Sequence, residues 1–241
     1  MSEAFKGQRV VVLGGSSGIG FEVAKQAAGQ GAAVVIVSSN AERVRAAAEA
    51  IGGAAKGVSV NLRDEAAIAG FFAAEEEFDH LVYTAADPLQ LHLLAETDLK
   101  QARDILELRY WSAVAAVKYG APKVRKGGSI TLTTGVAGER PSKTWVIISS
   151  ICEMMKGLTR ALAVELAPLR VNCVSPGVVR TNIWANMSEA ERASLYEGFG
   201  GSLLVGRAGE ADEVARTYLY LMQQGFSTGQ IVVVDGGTSL V

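Results

Sequence analysis

The sequence predicts an α/β protein in which a doubly wound parallel sheet carries helices on both faces. Short, continuous apolar runs alternate with helical segments along the whole chain, a pattern typical of parallel strands buried on both sides. The hydrophobic fraction is 49% and there are 27 glycines, which suits a sheet packed against helices of small residues. Because 241 residues are enough to bury one full core, residues 1–241 are predicted to form a single domain.

Each element of this fold has its own sequence signal. The strands are apolar runs at 10–13, 34–37, 58–60, 81–84, 129–133, 171–174 and 231–234. The helices have apolar residues at helical spacing and end at glycine or proline, and they are predicted at about 19–29, 41–51, 64–74, 98–119, 145–165 and 210–222. The segment at about 178–207 is polar and partly helical, and we expect a substrate lid there.

Composition and charge exclude several classes of protein. The net charge is −2 with dispersed basic residues, so no nucleic-acid partner is expected, and the run at 75–77 is predicted to be a solvated helix end. Cys152 and Cys173 lie far apart without histidine neighbours, which argues against a metal site and against a disulfide framework. The chain shows no signal peptide and no membrane-spanning run, so we expect a cytoplasmic protein.

A glycine-rich loop follows the first strand and leads into the first helix. Its sequence is Leu-Gly-Gly-Ser-Ser-Gly-Ile-Gly, from Leu13 to Gly20. The glycines let the backbone turn tightly, while the free N–H groups and positive dipole end of the helix face an anion. The spacing is related to the dinucleotide fingerprint without matching it literally, and its position between strand and helix predicts a bound dinucleotide.

Several motifs together resemble the short-chain dehydrogenase/reductase family over essentially the whole chain. The glycine loop is one of them, and the others are Ser-Pro-Gly at 175–177 with Thr181, Leu-Thr-Arg-Ala-Leu-Ala at 158–163 and Val-Asp-Gly-Gly at 234–237. The resemblance implies a Rossmann-type seven-stranded sheet in the order 3-2-1-4-5-6-7. It also implies a nicotinamide cofactor lying across the carboxyl ends of the strands.

The resemblance also indicates which cofactor is preferred. Ser38 ends the second strand where an acidic residue would select NAD, and Arg43 follows within reach of a 2′-phosphate, so NADP is predicted over NAD. Asn61 stands where the family usually has an aspartate beside the adenine. The predicted cofactor-binding residues are Gly14, Ser16, Ser17, Gly18, Ile19, Gly20, Ser38, Ser39, Asn40, Arg43, Asn61, Leu62, Ala85, Pro176, Gly177, Val179 and Thr181.

The catalytic positions depart from the family pattern. Counting from the motifs places Gly135 at the family's serine, Ile148 at its tyrosine, Cys152 at its lysine and Arg109 at its asparagine. Tyr-Thr-Ala-Ala at 83–86 likewise replaces Asn-Asn-Ala-Gly. Tyr-x-x-x-Lys does occur at 119–123, but glycine and proline break the helix that the chemistry requires, so we interpret this match as a coincidence.

Other side chains are candidates for the missing groups. Thr134 stands beside the serine position and has a hydroxyl to donate, while Arg109 either pairs with an acid such as Glu153 or reaches a substrate anion. Weaker candidates for a relocated acid or base lie in neighbouring segments: Asp87, His92 and Tyr196. Lys156 is one helical turn beyond Cys152, which is too far to replace the family's lysine without rearrangement. Ser149 and Ser150 are expected to be packing or surface residues.

These observations leave three hypotheses for the function. The first is an atypical NADP(H)-dependent oxidoreductase acting on a small organic carbonyl or related acceptor, with Thr134, Arg109 or a residue of the lid segment in its active site. The second is a catalytically silent dinucleotide-binding protein that acts as a partner subunit or sensor. The third, weaker hypothesis is a non-redox enzyme using the same pocket. By analogy with the family, a homodimer or homotetramer is expected through the helices at about 98–119 and 145–165.

Overall fold

The computed structural model describes residues 3–241. Residues 1 and 2, at the start of the segment that lacks a signal-peptide pattern, lie outside this range. The main sheet has seven parallel strands in the order β3-β2-β1-β4-β5-β6-β9. Its strands are β1 (Arg9–Leu13), β2 (Ala33–Ser38), β3 (Lys56–Ser59), β4 (Phe78–Tyr83), β5 (Val124–Thr133), β6 (Arg170–Pro176) and β9 (Ile231–Val234). The predicted order is confirmed, since β9 is the seventh strand of the prediction.

Eight α-helices lie within residues 3–241. They are α1 (Gly18–Gly29), α2 (Ala41–Ile51), α3 (Glu65–Ala74), α4 (Leu99–Leu106), α5 (Ser112–Gly120), α6 (Val146–Glu165), α7 (Glu189–Ser202) and α8 (Ala211–Gln223). Side chains cap the amino termini of three of them: Asn40, Asp64 and Asp98 accept hydrogen bonds from the first turns of α2, α3 and α4. No helix in this part of the chain is long and apolar enough to cross a membrane.

The long helix predicted at about 98–119 is interrupted. A π-helical turn at Glu107–Trp111 separates α4 from α5, and the N–H of Ser112 bonds the carbonyl of Glu107, five residues earlier. The apolar spacing of this segment does not indicate the extra residue that a π turn inserts into a helix. Such π turns inside helices frequently occur at functional sites, and this one carries Arg109.

Two apolar clusters cover the two faces of the sheet, one around Leu81 and Ile130 and the other around Val12 and Val82. The prediction that every strand is buried on both faces is wrong for β3, because this strand forms the edge of the sheet and is largely exposed. The prediction that residues 75–77 are solvated is wrong for Glu75, which is buried and pairs with Arg9. Glu76 and Glu77 are exposed.

The predicted lid segment has more structure than its polarity indicated. It contains the short strand β7 (Val179–Arg180), a 3₁₀ turn at Asn182–Trp184 and the helix α7. Strand β7 pairs with β8 (Gly209–Glu210) in a separate two-stranded sheet. The side chain of Trp184 is buried and donates from Nε1 to the carbonyl of Val179 at 3.0 Å, which fixes the turn close to the main sheet.

Candidate active site

A cavity of about 480 Å³ opens at the carboxyl ends of the parallel strands. It runs from the residues that follow β2 and β3, here called the β2–β3 end, to residues of α6 and the π turn, here called the α6 end. Ligands of open α/β sheets bind at this edge, because the loops that follow the strands meet there. The cavity therefore lies where the sequence predicted a dinucleotide and its substrate.

The glycine loop packs against the end of β4, and two of its glycines have no space for a side chain. A Cβ at Gly14 would lie 2.5 Å from the backbone nitrogen of Ala85, and Gly14 has φ of 88°. A Cβ at Gly20 would lie 2.3 Å from Oγ1 of Thr84. The side chain of Ser17, the residue before α1, makes no capping hydrogen bond to the first turn. The loop therefore presents the amino terminus of α1 to the cavity as an anion-binding cradle.

The β2–β3 end contains most of the residues predicted to select the cofactor. Ser38, Ser39, Arg43, Asn61 and Leu62 line it, and Arg63, which the sequence analysis did not single out, lines it as well. The side chain of Arg43 is exposed and has no ion-pair partner within residues 3–241. Asn40 does not line the cavity, because its carboxamide oxygen accepts from the N–H of Arg43 at 2.8 Å and caps α2.

The end of β6 and the segment that follows it also line the cavity. Pro176, Gly177, Val179 and Thr181 all line it. Gly177 is required by packing, since a Cβ there would lie 2.7 Å from the backbone of Asp235. The hydroxyl oxygen of Thr181 accepts from the N–H of Ile183 at 3.3 Å and so begins the 3₁₀ turn. The remaining predicted cofactor residues line the cavity too: Gly14, Ser16, Ser17, Gly18, Ile19, Gly20 and Ala85.

Three of the residues counted into the catalytic positions come together at the α6 end. Gly135, Ile148 and Cys152 line this part of the cavity. Ile148 and Cys152 are buried on α6, and a Cβ at Gly135 would lie 3.5 Å from the sulfur of Cys152. Burial raises the pKa of the Cys152 thiol and outweighs the opposite effects of Thr134, Arg109 and Lys156. The thiol is therefore neutral at physiological pH.

Thr134 lines the cavity beside Gly135, but its hydroxyl donates to the carbonyl of Cys152 at 2.7 Å. This hydrogen bond connects α6 to the end of β5. A donated hydrogen bond from Thr134 to a substrate would require this contact to break, which makes Thr134 a weaker candidate for the active site than its position in the sequence indicated.

Arg109 also lines the α6 end, where it is the remaining polar candidate. One of its terminal nitrogens donates to the carbonyl of Asp87 at 2.7 Å, while its Nε–H is buried without a hydrogen-bond partner within residues 3–241. The suggested pairing with Glu153 is wrong, because the carboxylate of Glu153 lies 2.5 Å from the ammonium of Lys156. Burial lowers the pKa of Arg109, although an arginine stays charged at physiological pH.

The π turn that carries Arg109 is held by the segment after β4. The hydroxyl of Tyr83 donates to the carbonyl of Leu108 at 2.5 Å, and the hydroxyl of Ser112 donates to the carbonyl of Glu107 at 2.9 Å. Tyr83 therefore anchors the backbone next to Arg109, and Asp87 anchors the Arg109 side chain itself. The segment that departs from the family pattern at 83–86 is thus connected to the turn that carries Arg109 through the bond from Tyr83 to Leu108.

The other candidates for a relocated acid or base are engaged elsewhere. Asp87 lines the cavity and is its only carboxylate among the residues that the structure describes, but it is paired with Arg63. Tyr196 packs under the guanidinium of Arg180, outside the cavity lining. Lys156 is buried between Glu139 and Glu153; burial lowers its pKa, but the two carboxylates outweigh this and raise it.

His92 belongs to a separate small cavity formed with Asp98 and neighbouring residues. Tyr119 contacts Glu65, and Lys123 donates to the carbonyl of Glu75, so the Tyr-x-x-x-Lys match lies away from the cavity. Sequence reasoning predicted a lid segment here but not which of its residues contribute: Trp184 lines the cavity, and the N–H of Leu89 bonds the carbonyl of Ile183 at 2.8 Å. That contact joins segments nearly a hundred residues apart, so no local pattern reveals it.

The doubly wound sheet and the glycine cradle define the class of nucleotide-binding α/β proteins, and comparisons with known proteins identify the family. A family model described as enoyl-(acyl carrier protein) reductase matches residues 14–239. The chain is 33% identical to the short-chain dehydrogenase/reductase fsr5 of Gibberella fujikuroi, over 97% of this chain and 95% of that protein. It is 35% identical to ATR9 of Stachybotrys chlorohalonatus, over 98% of each. The chain belongs to the short-chain dehydrogenase/reductase family of oxidoreductases.

Solved structures agree with this assignment. A small-chain dehydrogenase in complex with NADPH superimposes with a TM-score of 0.86 at 33% identity, covering 97% of this chain and 99% of that chain. The reductase/Diels-Alderase MalC from Malbranchea aurantiaca superimposes with a TM-score of 0.91 at 28% identity, covering 99% of each. The NADPH complex supports binding of a nicotinamide dinucleotide by this fold.

Proposed function

We propose that this protein is an NADP(H)-dependent oxidoreductase that reduces a small organic carbonyl or related acceptor without the family's tyrosine acid. One observation carries the proposal: the glycine cradle and the apolar α6 end belong to one continuous cavity. A dinucleotide in the cradle and a small acceptor beside Ile148 and Cys152 would therefore share the same space. The cofactor supplies hydride chemistry, and the protein supplies binding and orientation.

The preference for NADP rests on the charges at the β2–β3 end. Arg43 is available to a 2′-phosphate, and Ser38 offers a hydroxyl without the repulsion that a carboxylate would cause. The NADPH complex of the structural relative supports the same choice. Both cysteines of the chain are free, which is consistent with a reducing compartment such as the cytoplasm.

A second candidate function follows from the same residues. Loss of a positioned general acid typically costs about 10²- to 10⁴-fold in rate, so a silent dinucleotide-binding subunit or sensor is the main alternative. A non-redox enzyme is the third, and the relative described as a reductase/Diels-Alderase supports it. The apolar α6 end would suit either a reducible acceptor or an apolar substrate of another reaction.

A titration followed by an acceptor panel separates these functions. NADPH is titrated into the purified protein by its fluorescence, and its oxidation is then followed with carbonyls, conjugated carbonyls, quinones and imines. We expect saturable binding together with oxidation by at least one acceptor class. Binding with no oxidation would contradict the proposal and favour the silent subunit, and absence of binding would contradict both.

We also propose that two or more copies associate through the helices at about 98–119 and 145–165. Large apolar side chains on these elements are exposed in the single chain, among them Trp111, Val146 and Val164. Burying them between copies would remove apolar surface from water, as in a typical symmetric dimer. Sedimentation equilibrium measures the mass directly, and a monomer at micromolar concentration would contradict this assembly.

A further inference from the structure

The α6 end of the cavity combines an apolar wall with the positive charge of Arg109, which forms no salt bridge within residues 3–241. The two acids considered for it are occupied, since Asp87 pairs with Arg63 and Glu153 pairs with Lys156. Among the described residues, the guanidinium of Arg109 donates to the backbone carbonyl of Asp87, and its Nε–H is buried without a hydrogen-bond partner. A buried donor of this kind costs free energy unless something binds it. The arrangement therefore favours an oxygen anion supplied by a ligand.

The same guanidinium is fixed in place by a distorted helix. The π turn shifts the register of the helix at Arg109, Tyr83 bonds the carbonyl of the preceding residue, Leu108, and the guanidinium itself bonds the carbonyl of Asp87. A side chain anchored in this way pays less entropy when it binds a ligand, and preorganised donors are the most effective at stabilising charge that develops in a reaction. Local distortion and the unpaired donor are independent observations on one residue.

The products of different reductions differ in the oxygen anion that they would present to Arg109. Reduction of an isolated ketone produces an alkoxide, a strong base that must receive a proton, and an arginine does not give up its proton. A cationic iminium acceptor would be repelled by the guanidinium. A conjugated carbonyl instead yields an enolate, whose charge is spread over oxygen and carbon, and this weaker base needs only hydrogen-bond donors at its oxygen.

We propose that Arg109 is a catalytic residue that binds the carbonyl oxygen of an α,β-unsaturated carbonyl substrate and stabilises the enolate formed on its reduction. A reduced dinucleotide bound at the glycine cradle would supply the hydride for the β-carbon. As that carbon–hydrogen bond forms, the carbon–carbon π pair would move into the enolate whose oxygen Arg109 binds, and water would then give a proton to the α-carbon and leave hydroxide in the solvent. The substrate gains two hydrogens and the dinucleotide is oxidised, so the step balances. This inference rests on the proposed function and specifies its substrate class.

Binding of a planar oxyanion tests, without any turnover, whether Arg109 binds an anionic oxygen. The probe is 4-nitrophenol, whose neutral and ionised forms absorb at different wavelengths, and 4-nitroanisole is the probe that cannot ionise. We expect the protein alone to prefer the phenolate over the phenol by about 10-fold or more, because a cation within a few ångströms favours the ionised form. Equal binding of both forms by the unaltered protein would overturn the inference, with no need for a variant to fold.

Variants assign the preference to Arg109. Arg109→Gln should abolish the preference for the phenolate, and Arg109→Lys should keep part of it. Arg140→Gln, which removes an exposed cation just beyond the cavity-lining residues 133–137, should leave it unchanged. Loss of the preference in Arg140→Gln, or its retention in Arg109→Gln, would overturn the assignment. Thermal unfolding of each variant establishes that the comparison is made on folded protein.

Turnover then separates this inference from the proposed function. With NADPH, we expect oxidation by conjugated enones, little by the matching saturated ketones, and a loss of about 10²-fold in kcat for Arg109→Gln. Oxidation by saturated ketones or imines but not by enones would overturn the inference and leave the proposed function standing. Absence of oxidation by every acceptor would contradict the proposed function, while the phenolate measurement would still report on Arg109.

Discussion

Two arginines line opposite ends of the cavity, and our proposals give each of them a separate role. At the β2–β3 end we propose that Arg43, whose side chain is exposed, binds a 2′-phosphate. At the α6 end we propose Arg109 as the charge-stabilising residue, because Ile148 has no proton to give, the Cys152 thiol is neutral and the Thr134 hydroxyl is occupied.

Replacing Arg43 should change the preference between cofactors. Charge-assisted hydrogen bonds contribute about 1.5–3 kcal/mol, so Arg43→Gln should weaken NADPH binding by roughly 10- to 150-fold. NADH binding should stay the same, since NADH has no 2′-phosphate. Fluorescence titration with each nucleotide measures both affinities. The control is Arg45→Gln on the same helix, where the side chain lies outside this cavity and near Glu49; an equal loss in the control would refute the assignment.

Restoring the family's side chains should create carbonyl reduction. We expect the combination Gly135→Ser, Ile148→Tyr and Cys152→Lys to reduce simple ketones with NADPH, because a Cβ at Gly135 meets only ordinary contacts. Arg109→Asn should raise the activity further, since a lysine at 152 would otherwise face a buried cation. Initial rates with a saturated ketone measure the gain. If a folded combination shows none, the counted register of the catalytic positions is wrong.

Elements position these residues, and the π turn between α4 and α5 is the clearest case. An uninterrupted helix would give Arg109 a different register relative to the β4 end. The contact between Tyr83 and Leu108 connects the turn to the end of β4, next to the strand that precedes the glycine loop. The shape of the α6 end therefore depends on the hydrogen bond that the buried Tyr83 makes to Leu108.

Removing that hydroxyl should loosen the turn. Tyr83→Phe leaves the carbonyl of Leu108 without this donor, which should cost about 1–3 kcal/mol in the free energy of unfolding, measured with urea. The preference for 4-nitrophenolate should fall as well, while NADPH affinity should stay close to that of the unaltered protein. Tyr119→Phe, which removes a hydroxyl bonded to Glu65 at the surface, should cost less than about 0.5 kcal/mol. Equal costs for the two variants would argue against a structural role for Tyr83.

The sequence predicts the elements well and the partners of side chains poorly. The individual strands and the glycine loop follow from patterns within short segments, such as the glycines at Gly14 and Gly20. The order of the strands in the sheet came from the family resemblance and not from any local pattern. The π turn, the burial of Glu75 and the pairing of Asp87 with Arg63 depend on contacts between distant segments. The same limit explains why Asn40 was predicted at the cofactor, although the structure uses it to cap α2.

For the molecule as a whole, the end of the sheet opposite the cavity contributes a dependence of stability on pH. His80 is buried between β1 and β5, where its Nδ1 lies 2.9 Å from the hydroxyl of Ser129 and its Nε2 lies 3.0 Å from Gln8. Burial lowers the pKa of His80 to about 4, despite the opposite effect of Asp79. The folded protein therefore keeps this histidine neutral in a range where the unfolded chain takes up a proton.

Stability should fall as the pH drops from about 6.5 towards 4. The unfolded state binds the proton first, so acid favours unfolding by up to about 3 kcal/mol from this one group. Urea unfolding at several pH values measures the slope. We expect His80→Gln to flatten the slope between pH 6.5 and 4 while lowering stability near neutral pH. His92→Asn, at an exposed site, should keep the slope of the unaltered protein; a flattened slope there would show that His80 is not the cause.

Asp87 touches both halves of the cavity, and this has a thermodynamic consequence. Its carboxylate pairs with Arg63 at the β2–β3 end, while its carbonyl accepts from Arg109 at the α6 end. A bound dinucleotide that breaks the ion pair between Arg63 and Asp87 would change the position of the Asp87 backbone, whose carbonyl binds Arg109. Thermodynamic linkage makes this effect reciprocal. If bound NADPH changes the affinity for 4-nitrophenolate by some factor, bound 4-nitrophenolate must change the affinity for NADPH by the same factor.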